Sequence, residues 1–217
     1  MPADAPLTAL ILAAGEGRRM GGRPKATLDF AGRPALSLVL EAALAGGCDR
    51  ALVVLGAHAA QVLRVLPPSG DALQVVENDQ WILGQTSSLQ AGLRALPPAQ
   101  EGEGVLLFPV DFPLVDAPVV EALVRRWRAI PAPERPARCL PVFVGERGHP
   151  IIFNRSVEPA LSALPPTETA MAVFGPLKDS TVEVRVDCPF ILTDMDTLEE
   201  YAELVKHYKE RLMVEPG

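Results

Sequence analysis

Leu12-Ala13-Ala14-Gly15-Glu16-Gly17-Arg18-Arg19-Met20-Gly21-Gly22-Arg23-Pro24-Lys25 follows directly on the apolar run that begins at Leu7. From Gly15 to Lys25, four glycines, three arginines and one lysine share eleven residues. Glycine lets backbone N–H groups approach an anion closely, and Arg and Lys add charge, so such a loop suits phosphate oxygens. The spacing matches neither G-x-x-x-x-G-K-[ST] nor G-x-G-x-x-G, because position 20 is Met and Lys25 is followed by Ala26. Neither a P-loop nor a dinucleotide-binding loop is supported. The competing reading is a solvated basic turn. The loop's place after a first strand favours a ligand site, since ligands bind at the carboxyl ends of strands in open α/β sheets.

Working outward, short β-rich runs at Leu7–Ala13, Ala51–Leu55, Leu73–Glu77 and Val105–Val110 alternate with helical patterns. Those patterns cover Ala35–Ala45, Ala59–Leu66, Ser87–Leu96 and Ala117–Ile130. Alternation of this kind predicts βαβ units, and the continuous Val, Leu and Ile runs predict a sheet buried on both faces. After Pro131–Pro136 the pattern changes to strands at Arg138–Val144 and Pro150–Asn154 around a Gly145–Gly148 turn, which predicts a hairpin or an antiparallel edge. A short helix at Val157–Leu164, strands near Val182–Val186 and Phe190–Thr193, and a helix from Thr197 to Leu212 complete the chain. The pairs Pro67-Pro68, Pro97-Pro98 and Pro165-Pro166 read as stops after helices.

The 217 residues suit one domain over 1–217. With 48% hydrophobic and 22% charged residues, a packed core is expected and bulk disorder excluded. A net charge of −7 argues against a general nucleic-acid binder, which needs a basic face. Cys48, Cys139 and Cys188 lack zinc-site or disulfide spacing and read as reduced thiols. No apolar run reaches membrane-spanning length, and the segment ahead of Leu7 carries Asp4 but no Lys or Arg, so a cytoplasmic protein is expected.

Asp111 ends the apolar run Val105–Val110, beside the glycine loop. It reads either as a turn cap or as a ligand for Mg²⁺ on a triphosphate, and the adjoining loop favours the ligand. Thr193-Asp194-Met195-Asp196-Thr197-Leu198-Glu199-Glu200 offers a second carboxylate. Asp196-x-x-Glu199 has capping-box spacing, which explains Asp196 as a helix N-cap and leaves Asp194 the better site residue. Ser87 and Ser88 read equally as N-caps or as polar groups facing a ligand. His58 and His207 sit in no triad-like constellation and read as ordinary surface or helix residues.

Four ordered motifs carry a family resemblance. Leu-Ala-Ala-Gly-x-Gly with Arg19-Met20-Gly21 and Lys25, the strand end Asp111-Phe112-Pro113, Gly84-Gln85-Thr86-Ser87-Ser88-Leu89-Gln90-Ala91-Gly92, and Gly148-His149-Pro150-Ile151-Ile152-Phe153 resemble the NTP-transferases, in particular the molybdenum cofactor cytidylyltransferase branch. The resemblance implies a three-layer α/β/α Rossmann-like fold with a mostly parallel sheet. It implies that Leu12, Ala13, Ala14, Gly15, Gly17, Gly84, Ser87 and Ser88 meet the nucleotide, with weaker roles for Arg18 and Arg23. Arg19 and Lys25 would hold phosphates, Asp111 with Asp194 or Asp196 would hold Mg²⁺, and Gly148, His149 and Pro150 would line the acceptor side. Val110 and Phe112 replace the family's Gly and Met, and Leu198 its Pro. The implied reaction is CMP transfer from CTP to a molybdopterin-type phosphate, with Ala14 in place of Gly favouring CTP. A transient contact with a molybdoenzyme or its chaperone goes with that reaction. A sugar-phosphate nucleotidyltransferase and a non-catalytic nucleotide-binding module are the alternatives.

Overall fold

A computed structural model describes residues 6–67, 70 and 72–214. In chain order the elements are β1 (Thr8–Ala13), the two-residue strands β2 (Asp29–Phe30) and β3 (Arg33–Pro34), α1 (Ala35–Ala45), β4 (Arg50–Leu55), α2 (Ala59–Val62), β5 (Leu73–Glu77) and α3 (Gln85–Ala95). There follow β6 (Gly104–Pro109), α4 (Ala117–Arg128), β7 (Arg138–Phe143), β8 (Glu146–Arg147), β9 (Ile151–Asn154), α5 (Glu158–Ser162), α6 (Met171–Phe174), β10 (Thr181–Arg185) and α7 (Leu198–Val214). One sheet runs in the order β10-β7-β9-β6-β1-β4-β5, with β8 paired to β7.

Strand β1 is central and parallel to both neighbours, Leu10 lying opposite Leu52 of β4 and Leu107 of β6. Its alternating side chains serve two separate cores. Ala9, Ile11 and Ala13 pack with Leu36 and Val39 of α1 and Val120 and Leu123 of α4. Leu10 and Leu12 pack with Leu89 and Leu93 of α3, Leu161 of α5 and Phe174 of α6. Covering both faces is what requires an unbroken apolar strand, and all six residues of β1 are buried. The expected three-layer α/β/α architecture is therefore present. A third cluster gathers Met20, Phe30, Leu38 and Met195 with Leu204 and Tyr208 of α7.

The antiparallel pairing predicted between Arg138–Val144 and Pro150–Asn154 is that of β7 with β9, while an unpredicted short strand, β8, forms the tight hairpin with β7 through Val144 and Gly145, both at positive φ. The main antiparallel strand, β9, lies inside the sheet between β6 and β7 rather than at an edge. Two expected elements change. The helix predicted for Ala59–Leu66 stops at Val62: Ala59 and Val62 are buried, Leu63 is half exposed, and Leu66 reaches the core from the turns that follow. The strand predicted at Phe190–Thr193 is a 3₁₀ turn, Pro189–Leu192. Pro189 lacks an N–H for a ladder, and the turn instead buries Ile191, whose carbonyl accepts the His149 N–H at 2.9 Å. Pro97-Pro98 and Pro165-Pro166 do follow α3 and α5; Pro68 and Asp4 lie outside the described residues.

Just before β6, Glu103 is 1% exposed and pairs with the Arg155 guanidinium at 3.0 Å. Arg155 also meets Glu158 at 2.7 Å and donates to the Pro97 carbonyl at 2.8 Å. Removing one partner of such a pair leaves the other charge buried and unmatched. Arg155→Ala is expected to lower unfolding free energy by about 3–5 kcal/mol in urea denaturation. Because the pair precedes β6 while Asp111 follows it, ligand affinity of the protein that remains folded should stay at the wild-type level.

Candidate active site

The chain leaves β1 at Ala13 and turns back on itself through Gly17, whose φ of 69° is left-handed. A Cβ there would stand 2.0 Å from the Arg23 carbonyl oxygen, so the loop closes only around glycine. The Gly17 carbonyl accepts the N–H groups of Met20 at 2.8 Å and Gly22 at 2.9 Å. Met20, fully buried in the third cluster, pins the loop from below. Arg18 pairs with Glu16 at 2.6 Å on the exposed surface, an interaction worth little.

Lys25 opens a 3₁₀ turn after Pro24 and reaches back across the sheet. Its ammonium lies 3.2 Å from Asp111 Oδ2 and hydrogen-bonds Asp196 Oδ1, and Arg19 lies 2.6 Å from Asp196 Oδ2. Asp111 follows β6, where the Val110 N–H donates to the Leu12 carbonyl at 3.2 Å and ties the strand end to β1. Met195 sits between the other two carboxylates. It is completely buried, its N–H donates to the Asp111 carbonyl at 2.9 Å, and Asp194 and Asp196 line the cleft on either side of it in sequence.

The helix cap differs from the sequence expectation by one residue. Thr197 Oγ1 accepts the Glu200 N–H at 3.2 Å, and Glu200 Oε2 accepts the N–H groups of Thr197 at 2.8 Å and Asp196 at 2.9 Å. The capping box is Thr197-x-x-Glu200, which frees the Asp196 carboxylate for Lys25 and Arg19. Asp196 is thus as much a site residue as Asp194. Burial opposes charge on Asp196, but Lys25 and Arg19 outweigh it and hold the carboxyl below its ordinary range. Asp194 has no such partners; burial, then Asp196, Asp111 and Glu200, push its carboxyl up.

This arrangement can accept a cation. Asp111 Oδ1 is buried without a hydrogen-bond partner among the described residues, and the charges around Asp194 repel one another. Among the described residues, however, no three His, Cys, Asp or Glu side chains form a ready metal-binding group. Phosphate oxygens and waters would have to complete a coordination shell, as is usual for Mg²⁺.

These groups border one cleft of about 630 Å³. Leu12, Ala13, Ala14, Gly15, Gly17, Arg18, Arg19, Lys25, Gly84, Ser88, Asp111, Asp194 and Asp196 all line it. Ser87 does not. Its hydroxyl accepts from Asn78 Nδ2 at 3.0 Å and lies 2.7 Å from the Gly84 carbonyl, while Ser88 accepts from the same amide at 3.1 Å. Neither serine caps α3, because Gly84 holds the N-cap position at φ 102°. Gln85, inside the quoted Gly84–Gly92 motif, also borders the cleft, as do Trp81 and Ile82, which the sequence reading does not single out. Ile82 is 67% exposed, an apolar side chain on the rim with no periodic signal to mark it.

Gly148, His149 and Pro150 are not brought to the cleft wall. The His149 ring stacks on Phe112 at 4.8 Å, one residue beyond Asp111, and a cis peptide joins it to Pro150. Burial pushes the His149 imidazole below its usual range, against the pull of Asp111, and Nδ1 has no hydrogen-bond partner among the described residues.

The raised Asp194 carboxyl gives a stability prediction. A carboxyl whose folded pKa lies above its unfolded value costs stability when ionised, at pH above both values. Asp194→Asn is expected to raise the melting temperature at pH 7 by about 1–2 °C, a small gain because solvent screens the group. The gain should vanish below about pH 4, where the wild-type carboxyl is protonated in both states. Calorimetry across pH checks both halves.

Comparison with known proteins agrees with the geometry. Residues 9–182 match the model of the MobA-like NTP transferase domain. The chain is 30% identical over 209 residues to the nicotine blue oxidoreductase of Paenarthrobacter nicotinovorans, covering 92% of this chain and 96% of that one. It is 29% identical over 153 residues to the molybdenum cofactor guanylyltransferase of Pseudomonas syringae, covering 68% and 66%. The solved structure of a nucleotidyl transferase from Methanothermobacter superposes with a TM-score of 0.76 at 21% identity, over 94% of this chain and 98% of that one, a likeness of fold. The chain, whose glycine loop leaves the central strand beside Asp111 at the end of the neighbouring strand β6, thus belongs to the MobA-like NTP transferase domain family.

Proposed function

We propose that the chain transfers a nucleoside monophosphate from an NTP, CTP by preference, to a phosphorylated small acceptor of the molybdopterin class, and releases pyrophosphate. The observation that carries this reading is the convergence of Lys25, Arg19, Asp111, Asp194 and Asp196 with the glycine loop in one cleft. In the proposed reaction Lys25 and Arg19 bind the triphosphate, and the loop amides orient it. Asp111, with Asp194 and Asp196, would hold Mg²⁺, which supplies neutralisation of phosphate charge. An acceptor phosphate oxygen attacks the α-phosphorus in line. The new P–O bond forms as the bond to the bridging oxygen breaks, and pyrophosphate leaves with the electron pair. A phosphate nucleophile is already ionised near neutral pH, so no general base is needed and catalysis rests on positioning and charge.

Ala14 supports CTP through the resemblance of Leu-Ala-Ala-Gly to cytidylyl-transferring relatives; the Pseudomonas relative is named a guanylyltransferase. Phe112 and His149 stand behind Asp111 without lining the cleft, so the acceptor's place there rests on the family resemblance. The first test measures pyrophosphate release with Mg²⁺ and CTP, GTP, UTP or ATP, each with a molybdopterin or a sugar-phosphate acceptor. Release with CTP and the pterin is the expected result. Lys25→Ala and Asp111→Ala should each lower it by about 10²–10³-fold while circular dichroism stays unchanged. Near-normal turnover in folded Asp111→Ala would overturn the metal assignment. Tight nucleotide binding without release on any acceptor would point to the accessory-module alternative.

The full-length match to a protein named an oxidoreductase favours one second reading. Cys48, Cys139 and Cys188 are free and buried, and burial pushes the first two thiols up to about 12, so they are poor redox groups. Electrons would have to come from a bound carrier, and a reduced pyridine dinucleotide would have to bind without the G-x-G-x-x-G loop, which this chain lacks at Met20. Loss of the dinucleotide's absorbance in the presence of an electron-accepting dye, without pyrophosphate release from any NTP, would favour that function over transfer.

A further inference from the structure

Beyond β4 the chain runs through Gly56, Ala57 and His58 before α2 begins, and this short segment lies against the glycine loop. The Ala57 N–H donates to the Ala14 carbonyl at 3.2 Å, and His58 Nε2 lies 3.0 Å from the Glu16 carbonyl oxygen. A Cβ on Gly56 would stand 2.7 Å from the Ala14 oxygen and 2.6 Å from Trp81 Cβ, so the two loops meet with no room for a side chain. His58 is half-buried, and its own carbonyl accepts the N–H groups of Gln61 and Val62 at the start of α2, which holds the residue in place.

The geometry of a trans peptide gives these bonds a directional meaning. Each peptide's C=O and the N–H of the next residue point to opposite sides. With the Ala14, Glu16 and Gly17 carbonyls tied to protein donors, the N–H groups of Gly15, Gly17 and Arg18 are turned away from those ties. No group among the described residues accepts from the N–H of Gly15 or Gly17. Ala57 and the 3₁₀ turn fix the two outer peptides through their backbones, whatever the sequence there. The middle peptide, 16–17, is fixed by a side chain alone.

We infer that His58 is a positioning residue for the nucleotide: its Nε2–H holds the Glu16 carbonyl so that the 16–17 peptide presents its N–H to a phosphate oxygen. Either protonation state of the ring supplies the donor, provided the neutral form carries its proton on Nε2. His58 touches neither substrate nor reacting atoms in this role. The inference rests on the reading of the cleft as a nucleotide site and adds to it a residue from outside the loop. Without the bond, the loop would have to be ordered by the ligand, at the expense of affinity rather than of the chemical step.

The test compares wild type, His58→Ala and His58→Gln, since a glutamine side-chain amide can place a donor near the position of Nε2. Affinity for a non-hydrolysable CTP analogue with Mg²⁺ is measured by calorimetry, KM and kcat by pyrophosphate release, and folding by thermal melting. His58→Ala should weaken analogue binding by about tenfold and raise KM to match, with kcat falling no more than about threefold. His58→Gln should recover most of the affinity. Wild-type affinity in folded His58→Ala would overturn the inference, as would His58→Gln binding as weakly as His58→Ala, because the effect would then be one of packing. If the wild type bound neither CTP nor any other nucleotide, the reading of the cleft would fail first and this inference with it.

Discussion

One ammonium joins three stretches of chain that are far apart in sequence. Lys25 lies between the carboxylates of Asp111 and Asp196, so the glycine loop, the end of β6 and the approach to α7 meet at a single charge. The three side chains are only about one fifth exposed, which makes their pairing more than a surface contact. Arg19 takes the second oxygen of Asp196, leaving Asp194 with its neighbours' negative charge and no cation of its own. The polarity of the cleft follows from this balance: cations toward the loop, surplus anionic charge toward Asp194. A triphosphate and a divalent ion need that same division.

The apolar framework holds these charges where they are. Met20 under the glycine loop and Met195 between the two aspartates belong to one buried cluster, completed by Phe30, Leu204 and Tyr208. Edge-on contacts of Phe30 with Tyr201 and Tyr208, and the Tyr201 hydroxyl donating to the Asp29 carbonyl at 2.6 Å, clamp α7 to the β2–β3 hairpin. Helix α7 is therefore a strap that locks the loop and the aspartate segment into one register. That segment lies beyond residue 182, where the match to the family model ends.

The features that were legible in the sequence depend on near neighbours. The apolar runs of β1 and β4 to β6 and the helix at Ala35–Ala45 declare themselves by their residue pattern, and the glycine loop by its composition and its place after the first strand. What escaped was decided at a distance. Asp196 and Thr197 are both good cap residues, and Glu199 and Glu200 are equally good partners; only Lys25 and Arg19, about 170 residues upstream in the fold, draw Asp196 out and leave the cap to Thr197. His58 read as an ordinary residue because its partner, the Glu16 carbonyl, is 42 positions away. Leu63 continues a helical pattern yet finds no surface to bury against, and α2 ends before it. Trp81 and Ile82 border the cleft through a 3₁₀ turn that carries no period at all.

The reversed strand β9 bears on how the chain emerges from the ribosome. Residues 104–109 and 138–143 are made first, but β6 and β7 are not neighbours: β9, residues 151–154, stands between them and hydrogen-bonds to both. Until that segment is synthesised, β6 keeps a bare apolar edge, the kind of edge that pairs with other chains. The side of the sheet formed by β10, β7 and β9 can join β6 only once β9 has been made. Strand β7 divides its length between two antiparallel partners, Val142 and Phe143 pairing with β8 and Arg138 and Cys139 with β9, so the hairpin closed at Val144-Gly145 leaves the start of β7 open for the strand that joins it to β6.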